Sequence, residues 1–485
     1  MRKILFVFIC ACALVSCREY QPSDDPSLRL RFSCDTLSFD TVLTEQGSAT
    51  LQLMVYNPNK NALVIDRVWM DDGEAFKVNM DGEQDLSRLT ELPVYGGDSL
   101  FVFVRIADFG ALAENGVVRI EDHLHFHLKT DVTQSVTLEA YGQNVTRLGL
   151  RGGRLQYDTY HFTAERPYLL FDTVIVVGDM TIDAGATLYM HKGASIYALG
   201  NVTAKGTREQ PVSIRGDRLD RLFDSVPYLY ASGGWNGIYL QADQPRNYQL
   251  EYVDILSGNV GLYAYSSCTD SLPQLRMNGC RIHNHALYGL VLVNTDAQVV
   301  NTEISNCASY CVYCSGGEHD FIHSTIASYF GYTTIRIQSV AKENAAAVFI
   351  DNLQKTGPKT VTSFYNCIIT GYLTDQLVVA TPFDQYYPGT FLGNYLKTDT
   401  LRVPHALANT YWQDPKQVPE SADTVPVFRN HFYEYKKYVY YDFHLDSLSP
   451  AIGIGDSLTA LPWPMDRDGL SRTNCPPDAG CYQHE

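Results

Sequence analysis

The chain has 485 residues, a hydrophobic content of 45% and a formal net charge of −17. This length is too great for one ordinary compact core, so it predicts two or three domains or one elongated solenoid. The negative field repels polyanions, so we expect no nucleic-acid partner and regard an uncomplexed polyuronate as a disfavoured substrate.

Residues 1–16 have the pattern of a secretory signal peptide. Two basic residues precede an apolar run from Ile4 to Val15, which is too short to span a bilayer. The run ends in Leu14-Val15-Ser16-Cys17, a sequence that resembles the lipobox of bacterial lipoproteins. This resemblance implies that Cys17 is acylated and becomes the first mature residue. Cleavage would leave 35 basic and 54 acidic residues, which is 35 − 54 = −19.

Residues 17–27 are predicted to form a lipidated tether. The stretch Ser23-Asp24-Asp25-Pro26 is similar to the acidic surface-export signals of Bacteroidetes lipoproteins. Each buried methylene of an acyl chain contributes roughly 0.8 kcal/mol, so several chains hold a protein firmly in a membrane. We therefore expect an outer-membrane protein whose partner is the membrane itself, in either a periplasmic or a cell-surface orientation.

Residues 28–147 predict a small immunoglobulin-like β-sandwich. Short alternating strands are separated by turn signals at roughly ten-residue intervals: Thr50–Tyr56, Leu63–Trp69, Leu100–Ile106 and Val136–Tyr141. The positions of Asn57, Phe76, Gly97-Asp98 and Gly142 resemble those in immunoglobulin-like modules of the abnormal-spindle and hydin type. Such a module implies a spacer or docking unit. Three histidines alternate along one later strand, and we interpret them as a solvated face rather than a metal site.

Residues 160–400 predict a right-handed parallel β-helix, because whole coils repeat along the chain. Five strand-like segments align on an isoleucine with intervals of 27, 22, 22 and 43 residues: Ile255, Ile282, Ile304, Ile326 and Ile369. Since side chains alternate across a strand, these isoleucines and the residues two before them should face inward, including Cys280 and Cys367. The longest interval predicts either an extra coil or an insertion around Lys342–Lys359.

A family resemblance supports this all-β architecture. The segments Ile182–Thr187, Gly200–Thr207 and Gly233–Tyr239 resemble the coils of bacterial pectin-lyase-like β-helix proteins. Residues 401–485, which contain Asp466-Arg467-Asp468-Gly469, are similar to the irregular closing segment that packs on such a helix. Asp466 and Asp468 are interpreted as turn residues because the other ligands of a calcium loop are missing.

The catalytic mechanisms of known β-helix enzymes cannot be transferred to this sequence residue by residue. The chain has neither the Gly-His-Gly nor the Arg-x-Lys motif of polygalacturonase-like members, and outward basic residues for a pectate-lyase-like mechanism are sparse. Function depends on the site and not on the fold. We therefore expect a non-catalytic surface module that binds glycan or a protein partner through its β-helix, without a cofactor or metal.

Two sets of residues are candidates for function. Tyrosine rings can pack against sugars. The candidate ligand-binding residues are therefore Tyr252, Tyr263, Tyr265 and Tyr288. The alternative function is a carbohydrate-active enzyme, either a polysaccharide lyase or a glycoside hydrolase. Its catalytic candidates are Asp254, His283, His285 and Glu303.

The residues immediately before these isoleucines are predicted to form a second column, on the outer face of the sheet. In it Arg281 should lie between Asp254 and Glu303, about 4.8 Å from each strand. The guanidinium would keep both acids ionised and leave no ready general acid. We therefore predict a solvent-facing salt-bridge ladder of modest structural value.

Overall fold

The computed structural model describes residues 22–107, 112, 116–149, 152–223, 226–268, 271–330, 346–351, 360–373, 375–380, 389–398, 407–408, 411–413, 426–430, 441–473 and 476–484. The chain divides into two compact units, Met1–Asn144 and Val145–Glu485. In the described part, no helix combines the length and the apolar character that a membrane crossing requires. The signal peptide and Cys17 lie outside the described residues, so lipidation stays a prediction.

The first unit is a β-sandwich of two sheets. Its nine strands are β1 (Arg31–Phe32), β2 (Thr36–Leu43), β3 (Leu51–Tyr56), β4 (Leu63–Met70), β5 (Phe76–Met80), β6 (Leu92–Val94), β7 (Ser99–Ile106), β8 (Val117–Leu128) and β9 (Val132–Gln143). One sheet has the order β1-β3-β7-β5 and the other β2-β9-β8-β4-β6. Alternating apolar side chains from both sheets form one buried cluster, as the predicted sandwich requires.

The second unit is a parallel β-helix whose coils contribute strands to three long sheets. Sheet A contains β10 (Thr146–Leu148), β13 (Tyr168–Leu170), β16 (Thr187–Met190), β19 (Val212–Gly216), β24 (Val253–Leu256), β27 (Arg281–His285), β30 (Glu303–Cys307), β33 (Thr325–Ser328), β36 (Ile368–Gly371), β39 (Tyr395–Lys397) and β41 (Tyr411–Gln413). Sheet B contains β11 (Arg154–Tyr157), β14 (Thr173–Val176), β17 (Ser195–Ala198), β22 (Gly237–Ala242), β25 (Val260–Ser266), β28 (Tyr288–Val293), β31 (Tyr310–Ser315), β34 (Val348–Asp351) and β37 (Leu377–Val379). Sheet C contains β12 (Tyr160–Phe162), β15 (Met180–Asp183), β18 (Val202–Lys205), β23 (Asn247–Glu251), β26 (Gln274–Asn278), β29 (Asp296–Val300), β32 (Gly317–Ile322), β35 (Thr360–Tyr365), β38 (Phe391–Leu392) and β40 (Leu407–Ala408).

The short remaining elements lie outside these three sheets. They are the hairpin strands β20 (Arg221–Phe223) and β21 (Val226–Pro227), the pair β42 (Phe428–Asn430) and β43 (Asp442–Leu445), the 3-10 turns Leu86–Arg88 and Tyr228–Tyr230, and the four-residue helix α1 (Ser457–Ala460). The helical unit begins at Val145, so its first strands precede the predicted start at residue 160.

The predicted inward column is confirmed. Ile255, Ile282, Ile304, Ile326 and Ile369 pair one to the next in the parallel register of sheet A, and each is 0% exposed. Burying a side chain of this size stabilises the fold by roughly 1.5–3 kcal/mol. Cys280 and Cys367 are also fully buried in this core. The stack therefore needs a small or β-branched residue beside each isoleucine.

The 43-residue interval between Ile326 and Ile369 contains an insertion and not an extra coil. β33 pairs directly with β36, so the two isoleucines belong to consecutive coils. Most of the segment around Lys342–Lys359 lies outside the described residues.

A C-terminal segment, defined here as residues 441–473 and 476–484, packs on the outer face of sheet A. Phe443, Leu445, Cys481 and Tyr482 form a buried cluster with side chains that include Ile368 of β36. Asp466 stabilises a turn in this segment, because its carboxylate accepts the backbone N–H groups of Asp468, Leu470 and Gln483 at 2.7 to 2.9 Å.

Candidate functional site

The outward column of sheet A has the predicted register. Asp254 pairs with Arg281, and Arg281 pairs with Glu303. Nη2 of Arg281 lies 2.8 Å from Oδ2 of Asp254. The predicted ion pair between Arg281 and Asp254 is therefore present, whereas Glu303 influences Arg281 through its charge.

The column does not face solvent, and this part of the prediction is wrong. Asp254 is 9% exposed and Glu303 is 5% exposed, because the C-terminal segment covers them. Arg467 reaches Oδ1 of Asp254 at 3.0 Å, and the Tyr482 hydroxyl donates to Oε2 of Glu303 at 2.6 Å. Removing one partner of such a buried pair would lower the stability of the fold by several kcal/mol, whereas a surface ladder contributes little.

A hydrogen-bonded relay connects His283 to Glu303. The Ser305 hydroxyl donates to Oε1 of Glu303 at 2.7 Å, and Nδ1 of His283 lies 2.7 Å from the same hydroxyl oxygen. Since the hydroxyl has only one proton to give, the Ser305 oxygen must accept the N–H of His283 Nδ1. Neutral His283 is thus fixed in the tautomer whose Nε2 carries a lone pair.

The charge states of this relay follow from burial and from its neighbours. Burial lowers the pKa of His283 to about 4, although Glu303 acts in the opposite direction. Burial alone would raise the pKa of Glu303, but the Arg281 charge and the Tyr482 hydrogen bond outweigh it, and the pKa is lowered. At neutral pH the histidine is therefore uncharged and the carboxylate is ionised.

These residues form the floor of a cavity of about 190 Å³, which we call the sheet A cavity. Arg281, His283 and Glu303 line it from β27 and β30. Leu229 and Tyr230 also line it, and the segment 441–444 forms an aromatic wall beside His283. The rings of Tyr441 and Phe443 in that wall are parallel within 5°, with centroids 5.8 Å apart. Arg467 and Tyr482 complete the lining.

His444 joins the wall of the cavity to the C-terminal segment. Its Nδ1 bonds to the Asp442 carboxylate, and its Nε2 lies 2.7 Å from Oδ2 of Asp468. Hydrogen bonds to Asp468 raise the pKa of His444 above its ordinary value, with burial opposing and Asp442 reinforcing the effect. Both ring nitrogens are occupied, so His444 positions the wall and does not present a free nitrogen to a ligand.

His285, predicted as a catalytic candidate beside His283, lies inside the β-helix. It is 0% exposed, and its Nε2 donates to the Ile255 carbonyl oxygen at 3.1 Å. The reason is Asn284, whose φ of 65° breaks the strand alternation, so that His285 turns inward although His283 points outward. Asn tolerates this left-handed conformation better than most residues.

The candidate ligand-binding tyrosines lie on a different face. Tyr263, Tyr265 and Tyr288 belong to strands of sheet B, whereas Tyr252 is at the corner before β24 with a φ of 46°. Tyr263 continues a ladder in which Tyr239 stacks on Tyr197 with centroids 4.7 Å apart. Because neighbouring rings cover one another's faces, the ladder presents mainly ring edges and hydroxyls to solvent.

The sandwich histidines bind a carboxylate. His123 Nδ1 and His125 Nε2 lie 3.1 and 2.8 Å from the two oxygens of Asp71. Across the described ranges, no group of three or more His, Cys, Asp or Glu side chains is arranged to hold a metal ion.

Comparisons with known proteins do not assign a family. No family model matches the chain, and no curated protein matches it. Among solved structures, a protein of unknown function from Porphyromonas gingivalis W83 is 10% identical over 26% of this chain and 50% of its own length, with a TM-score of 0.18. The PapD-like domain 7 of human CEP192 is 13% identical over 25% of this chain and 89% of its own, with a TM-score of 0.17. The Vibrio cholerae VesB protease is 13% identical over 24% of this chain and 31% of its own, with a TM-score of 0.18. Scores this low carry no argument about function.

Proposed function

We propose that this chain is a lipid-anchored protein of the bacterial outer membrane that binds a glycan without turning it over. The observation that carries the proposal is the sheet A cavity, in which aromatic rings face a floor of fixed polar groups. One face of a sugar ring is apolar and packs on aromatic rings, while its hydroxyls need donors and acceptors in fixed positions.

The fixed polar groups are suited to hydroxyls. Nε2 of His283 offers an acceptor, because the relay through Ser305 holds the proton on Nδ1. The side chain of Arg281, which is 38% exposed, offers donors at the same floor. A concave site of this size also differs from the larger, flatter surfaces that protein partners bury, which favours a glycan over a protein ligand.

Two ionised acids favour binding over glycoside hydrolysis. A hydrolase of the two-carboxylate type needs one protonated carboxyl as general acid. Glu303 has a lowered pKa, and Asp254 accepts charged hydrogen bonds from both Arg281 and Arg467. The pair therefore provides counter-charges for arginines and no proton donor.

A glycan array tests the proposal with purified full-length protein in detergent. We expect retention of a defined set of glycans, and loss of that retention in Tyr441→Ala, which removes part of the aromatic wall. Tyr265→Ala is the matched control, because Tyr265 is 39% exposed on sheet B and does not line the cavity. Absence of glycan retention would refute the proposal. Loss of glycan retention in Tyr265→Ala alone would indicate that the binding site lies on sheet B.

A second candidate function is catalysis on a polysaccharide, favoured by the lone pair of His283 Nε2 in a polar cavity. A histidine oriented by a second hydrogen bond is a usual general base. Incubation of the wild type and His283→Ala with bound glycans distinguishes the two functions by product analysis. Products formed by the wild type and absent with His283→Ala would establish an enzyme.

A further inference from the structure

We propose that the sheet A cavity accepts an uncharged sugar residue and discriminates against uronic acids and other acidic sugars. This inference rests on the proposed glycan-binding function and names the ligand class for the same site. It is carried by the balance of charges around the cavity.

Among the described residues that line the cavity, the charges of the two guanidinium groups are balanced by carboxylates. Arg281 and Arg467 share the carboxylate of Asp254, at 2.8 and 3.0 Å. Glu303 provides a second negative charge beside Arg281. These two cations and two anions cancel.

The wall formed by residues 441–444 adds negative charge. His444 is bonded to both Asp442 and Asp468, so a protonated His444 leaves this group at −1 and a neutral one leaves it at −2. Arg208, whose Nη1 donates to the Asp468 carbonyl oxygen at 2.6 Å, is itself paired with Glu209 at 2.7 Å. Within the described part of the site, the charges therefore sum to three cations against four carboxylates, or −1, when His444 is protonated.

An incoming carboxylate would meet this negative site and would lose its own hydration. Arginines that bind acids normally bring an uncompensated positive charge to the ligand, whereas the charges of Arg281 and Arg467 are compensated here by Asp254 and Glu303. Neutral hydroxyls lose little on desolvation when they find donors and acceptors. The side chains of His283 and Arg281 provide one acceptor and several donors.

Titration calorimetry with full-length protein tests the inference. The probes are a neutral oligosaccharide retained on the array and its counterpart in which uronic acids replace the neutral sugar residues. We expect the acidic counterpart to bind at least about tenfold more weakly, which corresponds to about 1.4 kcal/mol. Glu303→Gln and Asp442→Asn each remove one negative charge from the site and should reduce the ratio of the neutral-sugar affinity to the acidic-sugar affinity.

The control variant is Glu318→Gln, which removes the same charge from an exposed position on sheet C and should leave the ratio unchanged. Two variants are used so that a folding defect in one of them leaves the other informative. Equal or tighter binding of the acidic sugar would overturn the inference while the glycan-binding function stands. Failure of both sugars to bind would overturn the function itself.

Discussion

Acidification should destabilise the β-helix through the histidines in its interior. His285 accepts the Gly258 N–H at Nδ1, at 3.2 Å, and donates from Nε2 to the Ile255 carbonyl oxygen. An imidazolium would place an N–H against another N–H. Burial lowers the pKa of His285 to about 3 and that of His319 to about 4.

The sign and size of the effect follow from proton linkage. Both histidines have a folded-state pKa below the unfolded value of 6.5, so the unfolded chain binds more protons in acid. Stability is fully present above about pH 6.5 and falls as the pH drops toward the folded-state values. Between about pH 6.5 and pH 5 each histidine costs about 2 kcal/mol at about 1.4 kcal/mol per pH unit. Two such groups approach the whole stability of a typical domain, which is roughly 5–15 kcal/mol.

Denaturant unfolding at about pH 7.5 and about pH 5 measures this loss. His285→Asn keeps an acceptor near the Gly258 N–H but cannot be protonated, so it should lose about 2 kcal/mol less on acidification than the wild type. His161→Asn is the matched control, because it makes the same exchange at a side chain that is 56% exposed. Equal responses of the wild type and His285→Asn would refute the interior position of His285.

Three further predictions concern the anchor, the core and the C-terminal segment. Cys17→Ala should abolish lipidation and release the protein from the membrane fraction, and recovery of the variant in the membrane pellet would contradict the anchor. Ile304→Asp should unfold the β-helix, because an unpaired buried carboxylate costs several kcal/mol, whereas Thr181→Ala at an exposed position of sheet C should cost less than about 0.5 kcal/mol. His444 has a raised pKa. The stabilisation of the fold by protonated His444 should therefore be present below about pH 6.5 and fade as the pH rises through the raised pKa. In thermal melts, His444→Gln should remove this loss of stability at higher pH. A variant with the same dependence of melting temperature on pH as the wild type would contradict the prediction.

The repeating part of the fold could be predicted from the sequence because each coil repeats the same packing problem. Isoleucines at intervals of 27, 22, 22 and 43 residues are enough to fix the register of sheet A, since a one-residue slip would expose the entire column. The same periodicity predicted that Arg281 would lie between Asp254 and Glu303.

The environment of that column could not be predicted in the same way. Tyr482 contacts Glu303 across 179 positions of sequence and Arg467 contacts Asp254 across 213. No local pattern encodes such contacts. The inward turn of His285 did have a signal, the corner asparagine Asn284, whose positive φ is repeated at Asn306 before the buried Cys307.

The structure of the full-length protein bound to the neutral oligosaccharide selected on the array tests the account most directly. We expect one sugar ring in the sheet A cavity, packed on Tyr441, with hydroxyls within hydrogen-bond distance of His283 Nε2 and Arg281. A ligand seated along the tyrosines of sheet B, with the cavity empty, would contradict it.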